Sequence, residues 1–114
     1  MATRSRIGIE NEHGTIRSIY CHFDGYPKGV GKTLRDKYKT REDVEKLLSL
    51  GNISQLGPTL ETTVAYVRDR GENEKDNAPR EDLDINSFKR KLQASDQEWA
   101  YIFGPDGVWK NLRS

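Results

Sequence analysis

The chain is poor in the residues that anchor most small catalytic or metal-bound domains. Its 114 residues include one cysteine, Cys21, so no internal disulfide can form. There are two histidines, His13 and His22, and no Cys/His spacing that would hold zinc. No metal and no cofactor is therefore expected. Long apolar runs are also missing, so no segment is expected to span a membrane. The opening "MATRSRIGIE" has no apolar signal core, which makes a cytoplasmic protein the simplest expectation. Charge of one sign is missing too. Nineteen Lys/Arg stand against 18 Asp/Glu, a formal net charge of +1. That balance argues against non-specific binding of long nucleic acids and against an acidic mimic of them.

What remains is a modest core in a short chain. Hydrophobic residues make up 33% and charged residues 32%, and the length suits a single domain, 1–114. A thin core favours stabilisation by self-association, so a homo-oligomer is expected. The charge is unevenly spread. Residues 1–40 hold eight Lys/Arg against four Asp/Glu, whereas residues 41–88 hold six against eleven. A basic first third is suited to phosphate-rich ligands.

Two hairpins are expected. Residues 3–10 and 15–23 pair through a turn at Glu12-His13-Gly14, which sets Ile9 opposite Arg17, Ile7 opposite Ile19 and Ser5 opposite Cys21. Alternation then puts Ile7, Ile9, Ile19, Cys21 and Phe23 on a core face, and Arg4, Arg6, Gly8, Tyr20 and His22 on the other. The second hairpin is "EWAYIFGPDGVWKNL". Its Pro105-Asp106-Gly107 turn sets Phe103 opposite Trp109, with Trp99 and Tyr101 on the same face, either as core or as a subunit interface.

Between the hairpins, helices are expected over 30–39, over 40–51 with Thr40 and Asp43 as a capping box, and over 84–93 capped by Asp84 or Asn86. Residues 60–68 fit either a helix, with Leu60, Val64 and Val67 as its stripe, or a strand, with Thr62, Val64 and Tyr66 alternating, and Pro58 and Gly71 favour a helix over 58–71. Residues 68–84 carry eleven charges in seventeen positions and are expected to be a mobile surface loop. The fold class is α+β: two β-hairpins, merged into one antiparallel sheet, with three to four short helices between them.

The chemistry concentrates at "FDGYPKGVGKTL". The loop ends in Gly31-Lys32-Thr33, as a nucleotide-triphosphatase loop does, but that pattern needs a glycine at position 26, which is Tyr26. Hydrolysis of a nucleoside triphosphate is not expected, on that ground and because 114 residues leave little room for the wound parallel sheet it needs. The physical idea survives: Gly29 and Gly31 allow close backbone approach, a helix start carries partial positive charge, and Lys28 and Lys32 add full charges. Arg4 and Arg6 offer planar forks for phosphate, and Tyr20 or Tyr26 a ring for stacking. His22 and Asp24 would point the same way along a strand and form an acid/base pair, but no second general acid accompanies them, so no catalytic residue is assigned. The expected ligand-binding set is Arg4, Arg6, Tyr20, His22, Asp24, Tyr26, Lys28, Gly29, Gly31, Lys32 and Thr33.

The runs "ATRSRIGIENEHGTIRSIYCHFDGYPKGVGKTL", "REDVEKLLSLGNISQLG" and "EWAYIFGPDGVWK" resemble a group of small accessory proteins encoded by tailed bacteriophages. The resemblance implies a phage protein of the infected host cytoplasm, and it supplies no catalytic motif. Together with the basic strand face it leads to one expectation about function. The chain binds and sequesters a small phosphate-containing nucleotide ligand, an ADP-ribose-type or cyclic-nucleotide immune signal of the host, without hydrolysing it. The alternative is a counter-defence inhibitor that binds a host defence protein, and the third reading is a nucleic-acid binder or weak phosphodiesterase.

Overall fold

The computed structural model describes residues 2–114. The fold is α+β, with a single mixed sheet and helices on both of its faces. In chain order the strands are β1 (Ser5–Glu10), β2 (Ile16–Cys21), β3 (Ile53–Gln55), β4 (Val64–Ala65), β5 (Arg80–Asp82), β6 (Trp99–Phe103) and β7 (Trp109–Arg113). The helices are α1 (Lys32–Lys37), α2 (Arg41–Leu48), α3 (Tyr66–Arg70) and α4 (Ile85–Gln93). The sheet runs β4-β3-β2-β1-β6-β7, and β5 also pairs with β2.

Both hairpins form in the expected register. Ser5 faces Cys21, Ile7 faces Ile19 and Ile9 faces Arg17, and Phe103 faces Trp109. The first turn closes with Gly14 at φ 87°, a left-handed conformation that suits glycine. Asn11 Oδ1 accepts from the backbone N–H groups of His13 and Thr15, which fixes the turn. The hairpins do not merge as one antiparallel sheet, however. β1 pairs with β6 in parallel, as β2 does with β3 at Cys21 and Ile53. A parallel join needs a long crossover, and residues 11–98 supply it.

The helices follow their caps. Thr40 Oγ1 accepts from Asp43 N, and α2 buries Val44, Leu47 and Leu48. Asp84 accepts from Ser87 N, and α4 buries Phe88 and Leu92. The helix expected over 58–71 is replaced by a Thr59–Thr63 turn, the short β4 and the five-residue α3, which ends at left-handed Gly71. The β-branched residues and the pull of β3 outweigh the helical spacing there. Residues 68–84 are more ordered in structure than a surface loop: they contain a 3-10 turn at Lys75–Asn77 and the strand β5.

Two cores result. Ile7, Ile9, Ile19 and Cys21 pack with Val30 and Leu34 from one side and with Val44, Leu47 and Leu48 of α2. On the opposite face, Ile16, Ala100 and Ile102 pack under Phe88 and Leu92 of α4. The aromatic face of the second hairpin belongs to the first core. Tyr101 and Phe103 are buried, Trp99 and Trp109 pack against them, and Trp109 Nε1 donates to Tyr38 O at 2.9 Å. That face is therefore used within the chain and gives no argument for a subunit interface. Phe23, expected in the core, lies beyond the end of β2 and is exposed.

Cys21 is fully buried in the first core, and burial pushes its thiol from 9.0 up to about 12. Native protein at pH 8 should leave Cys21 unmodified by a thiol reagent, and denatured protein should react fully. The unfolded thiol ionises first, so the contribution of this group to stability is intact below about pH 9 and is lost as pH rises towards 12. Urea unfolding across that range, compared with Cys21→Ala, checks the sign.

Candidate functional site

The outer edge of β2 is shared by two strands. β5 pairs with it along Ile16–Ser18, and β3 joins at Cys21. Tyr20 lies in the gap, and the side chain of Asn52 fills the missing ladder bond by accepting from Tyr20 N at 2.9 Å. Asn52 is held in turn by its own N–H to Asn77 O at 2.8 Å. The 3-10 turn and β5 thus complete the sheet on the side that faces α4.

Alternation puts Arg6, Ser18 and Tyr20 on this face, and the β5 register adds Arg80 opposite Ser18 and Asp82 opposite Ile16. Arg6 is only 8% exposed. Its Nε donates to Ser18 Oγ at 2.9 Å and its Nη2 to Ser18 O at 3.1 Å. Among the described residues it has no carboxylate within 4.0 Å. Burial and then the charge of Arg80 lower its pKa from 12.5 to about 10, and Asp82 opposes them. Asp82, itself buried, is already shared: it accepts from Arg80 Nε at 3.0 Å and from Lys91 Nζ at 2.6 Å. Arg80 Nη2 is buried without a hydrogen-bond partner among the described residues, and the guanidinium lies 5.8 Å from the Phe88 ring centre. Arg80 and Lys91 therefore share one carboxylate at the centre of this face, and Arg6 stands beside them without one of its own.

A more exposed rim surrounds that centre. Arg4 pairs with Asp96 at 3.5 Å; burial raises the pKa of the nearby Tyr20 hydroxyl, and Arg4 opposes the rise only in part. The Tyr20 hydroxyl and His22 Nδ1 lie 2.7 Å apart. Across the gap, Arg70 sits over the Tyr66 ring at 5.4 Å and donates to Ser54 Oγ at 3.3 Å. Surface grooves lie away from the arginines, one lined by Asn11, Glu12, His13, Arg41 and Pro105, another by Glu10, Ile85, Lys89, Ile102, Lys110 and Leu112. Arg4 and Arg80 are partly exposed at the edge of the cluster, and Arg6 lies beneath them.

The structure brings Arg4, Arg6, Tyr20 and His22 together, and it separates them from the glycine loop. Pro27–Gly31 forms a π-helical turn that runs straight into α1, so Gly29 to Thr33 lies inside a helical stretch rather than at its start. Gly29 N donates to Tyr26 O, Val30 N to Asp24 O and Lys32 N to Gly29 O, which leaves those N–H groups no capacity for phosphate. Gly29 is required because a Cβ would come within 2.4 Å of Asp24 O, and Gly31 because a Cβ would meet the Tyr101 ring at 2.9 Å. Val30 joins the first core, so the turn packs on the face opposite Arg6. Lys32 pairs with Asp36 at 2.9 Å, Lys28 is exposed, and Thr33 lies in the first turn of α1. Nor do His22 and Asp24 form a pair: His22 turns to Tyr20, and Asp24 takes only a long 3.4 Å bond from the Tyr26 hydroxyl.

Ser18, Arg80, Asp82 and Lys91 are the members of this face that sequence reasoning missed. Ser18 was recoverable, since it alternates with Tyr20 and His22. Arg80-Glu81-Asp82 was not, because three charged residues carry no hydrophobic period. No family model, no curated protein and no solved structure matches the chain.

Replacing Asp82 by Asn removes the carboxylate that Arg80 and Lys91 share and leaves both uncompensated beside Arg6. Because Asp82 is buried, stability should fall by on the order of 3 kcal/mol. Added phosphate should recover part of the loss, as an anion that binds the folded state must. Urea unfolding with and without phosphate measures both effects.

Proposed function

We propose that this chain binds a small phosphate-bearing nucleotide ligand at the arginine-bearing face of its sheet and holds it without cleaving it. The observation that carries this reading is Arg6: a buried guanidinium without a carboxylate partner, beside a second arginine with an unsatisfied nitrogen. Keeping such a charge in the interior is costly for the fold, and a bound phosphate group would offset that cost. Arg4, Arg6 and Arg80 supply the charge, and Tyr20 supplies a ring and a hydroxyl at their edge. Sequestration of an ADP-ribose-type or cyclic-nucleotide signal in an infected cell is the role that fits both this face and the phage-like sequence. Cleavage has less support, because His22 lacks the Asp24 partner that an acid/base pair would need.

The test is calorimetric titration of ADP-ribose, a cyclic dinucleotide and inorganic pyrophosphate against the wild-type protein, Arg6→Met and Arg80→Met. Loss of one arginine should weaken binding roughly ten- to a hundredfold, since a charge-assisted hydrogen bond contributes about 1.5–3 kcal/mol. Rising salt should weaken it further, because Arg4 and Arg80 are partly exposed to solvent. Arg6→Met should lose little stability or gain some, as replacement of an unpaired buried charge by an apolar side chain does. Wild-type affinity in both variants, with the fold intact, would remove the arginine face as the site. Recovery of a hydrolysed product after incubation would replace sequestration with catalysis.

A further inference from the structure

The loop that follows β2 carries a second unexplained feature. Asp24 is the one non-glycine residue with positive φ among those described, at 59°. That left-handed conformation is uncommon outside glycine, and asparagine and aspartate are among the few side chains that tolerate it. Aspartate sometimes offsets the strain by bonding its own backbone, but the Asp24 carboxylate takes no backbone hydrogen bond among the described residues. Its only bond is the 3.4 Å contact from Tyr26. The carboxylate is exposed between Phe23, 40% exposed, and Tyr26, 43% exposed.

These exposed groups sit on a rigid frame. Phe23 N donates to Ser54 O, Gly25 N to Thr3 O, and Val30 N to Asp24 O. The Tyr101 hydroxyl reaches Gly25 O from below at 2.6 Å. Such a loop has no need of exposed aromatics or of a strained carboxylate for its own stability. It is also joined to the arginine face. The His22 ring packs edge-on against Phe23 with centroids 4.5 Å apart, and the same ring meets the Tyr20 hydroxyl. Through the His22 ring, Phe23 is thus linked to Tyr20 at the edge of the arginine face.

We propose that Phe23, Asp24 and Tyr26, in the loop after β2, form a nucleoside subsite next to the arginine face, in which Asp24 determines specificity. The base packs on Phe23 and Tyr26. The two oxygens of Asp24 accept a pair of adjacent donors, either the cis-diol of a ribose or the N–H pair on the edge of a guanine. The phosphates extend past His22 to the arginines. The inference rests on the phosphate-binding reading above and adds to it a reason why the ligand must be a nucleotide rather than any polyanion.

Asp24→Asn is the discriminating variant, because asparagine accepts the left-handed backbone and should preserve the loop. Binding of pyrophosphate, ADP, 2′,3′-dideoxy-ADP, GDP and IDP to the wild-type protein, Asp24→Asn, Phe23→Ala and Arg6→Met would be compared. Wild type should prefer one donor-bearing nucleotide over its donor-lacking partner roughly ten- to a hundredfold, as bidentate recognition does. ADP over its dideoxy form assigns the diol, and GDP over IDP assigns the guanine edge. Asp24→Asn should remove that preference while pyrophosphate binding stays intact, and Phe23→Ala should weaken every nucleotide but not pyrophosphate. Arg6→Met should weaken all five. Equal wild-type affinity for pyrophosphate and the nucleotides, or an unchanged preference in Asp24→Asn, would overturn the subsite and leave phosphate binding standing. Failure of all five probes to bind would overturn both.

Discussion

The parallel pairing of β1 with β6 is the constraint from which the rest of the architecture follows. It joins the first hairpin to the last and places β1 inside the sheet, with β2 on one side and β6 on the other. An internal strand needs cover on both faces, so a thin set of apolar residues must be divided between two cores. The larger takes α1, α2 and the aromatic residues of β6. The smaller has only α4 to close it, over Ile16, Ala100 and Ile102. Arg6 shares that second face, and its guanidinium lies under cover without an acid of its own. The charge centre is thus a consequence of where the apolar cover is spent.

How much of this was legible depended on how local the cause was. The first hairpin and its register could be read because Gly14 and the alternation of Ile7, Ile9 and Ile19 act within a few residues. The caps at Thr40 and Asp84 were legible for the same reason. The parallel join was not, since nothing in either strand specifies a partner more than eighty residues away. β3 and β4 are two or three residues long, too short for a period to appear, and their neighbourhood also matched a helical spacing.

The candidate site shows the same division. Arg4, Arg6, Tyr20 and His22 were found together because one strand pair orders them. Their charge balance could not be found, because Asp82 and Arg80 come from a strand whose sequence is wholly charged. The glycine loop was misread for a different physical reason. Glycine is needed wherever backbone comes close to something, and here that something is the chain itself: Asp24 O at Gly29 and the Tyr101 ring at Gly31. Sequence cannot tell a ligand from a tyrosine as the cause of a close approach.

Tyr101 links the two halves of the site. It lies on β6 beside Ile7 of β1, its ring fills the space left by Gly31, and its hydroxyl donates to Gly25 O. Burial drives the pKa of that hydroxyl well above the usual value, so it stays a donor at any ordinary pH. The same central strand pair that carries Arg6 on one face therefore anchors the Phe23–Tyr26 loop from the other. Because the loop's backbone bonds are already satisfied, a ligand on its surface would order little that is not ordered beforehand. Its affinity would come from the groups left exposed or unpaired: the rings of Phe23 and Tyr26, the Asp24 carboxylate and the arginines beyond His22.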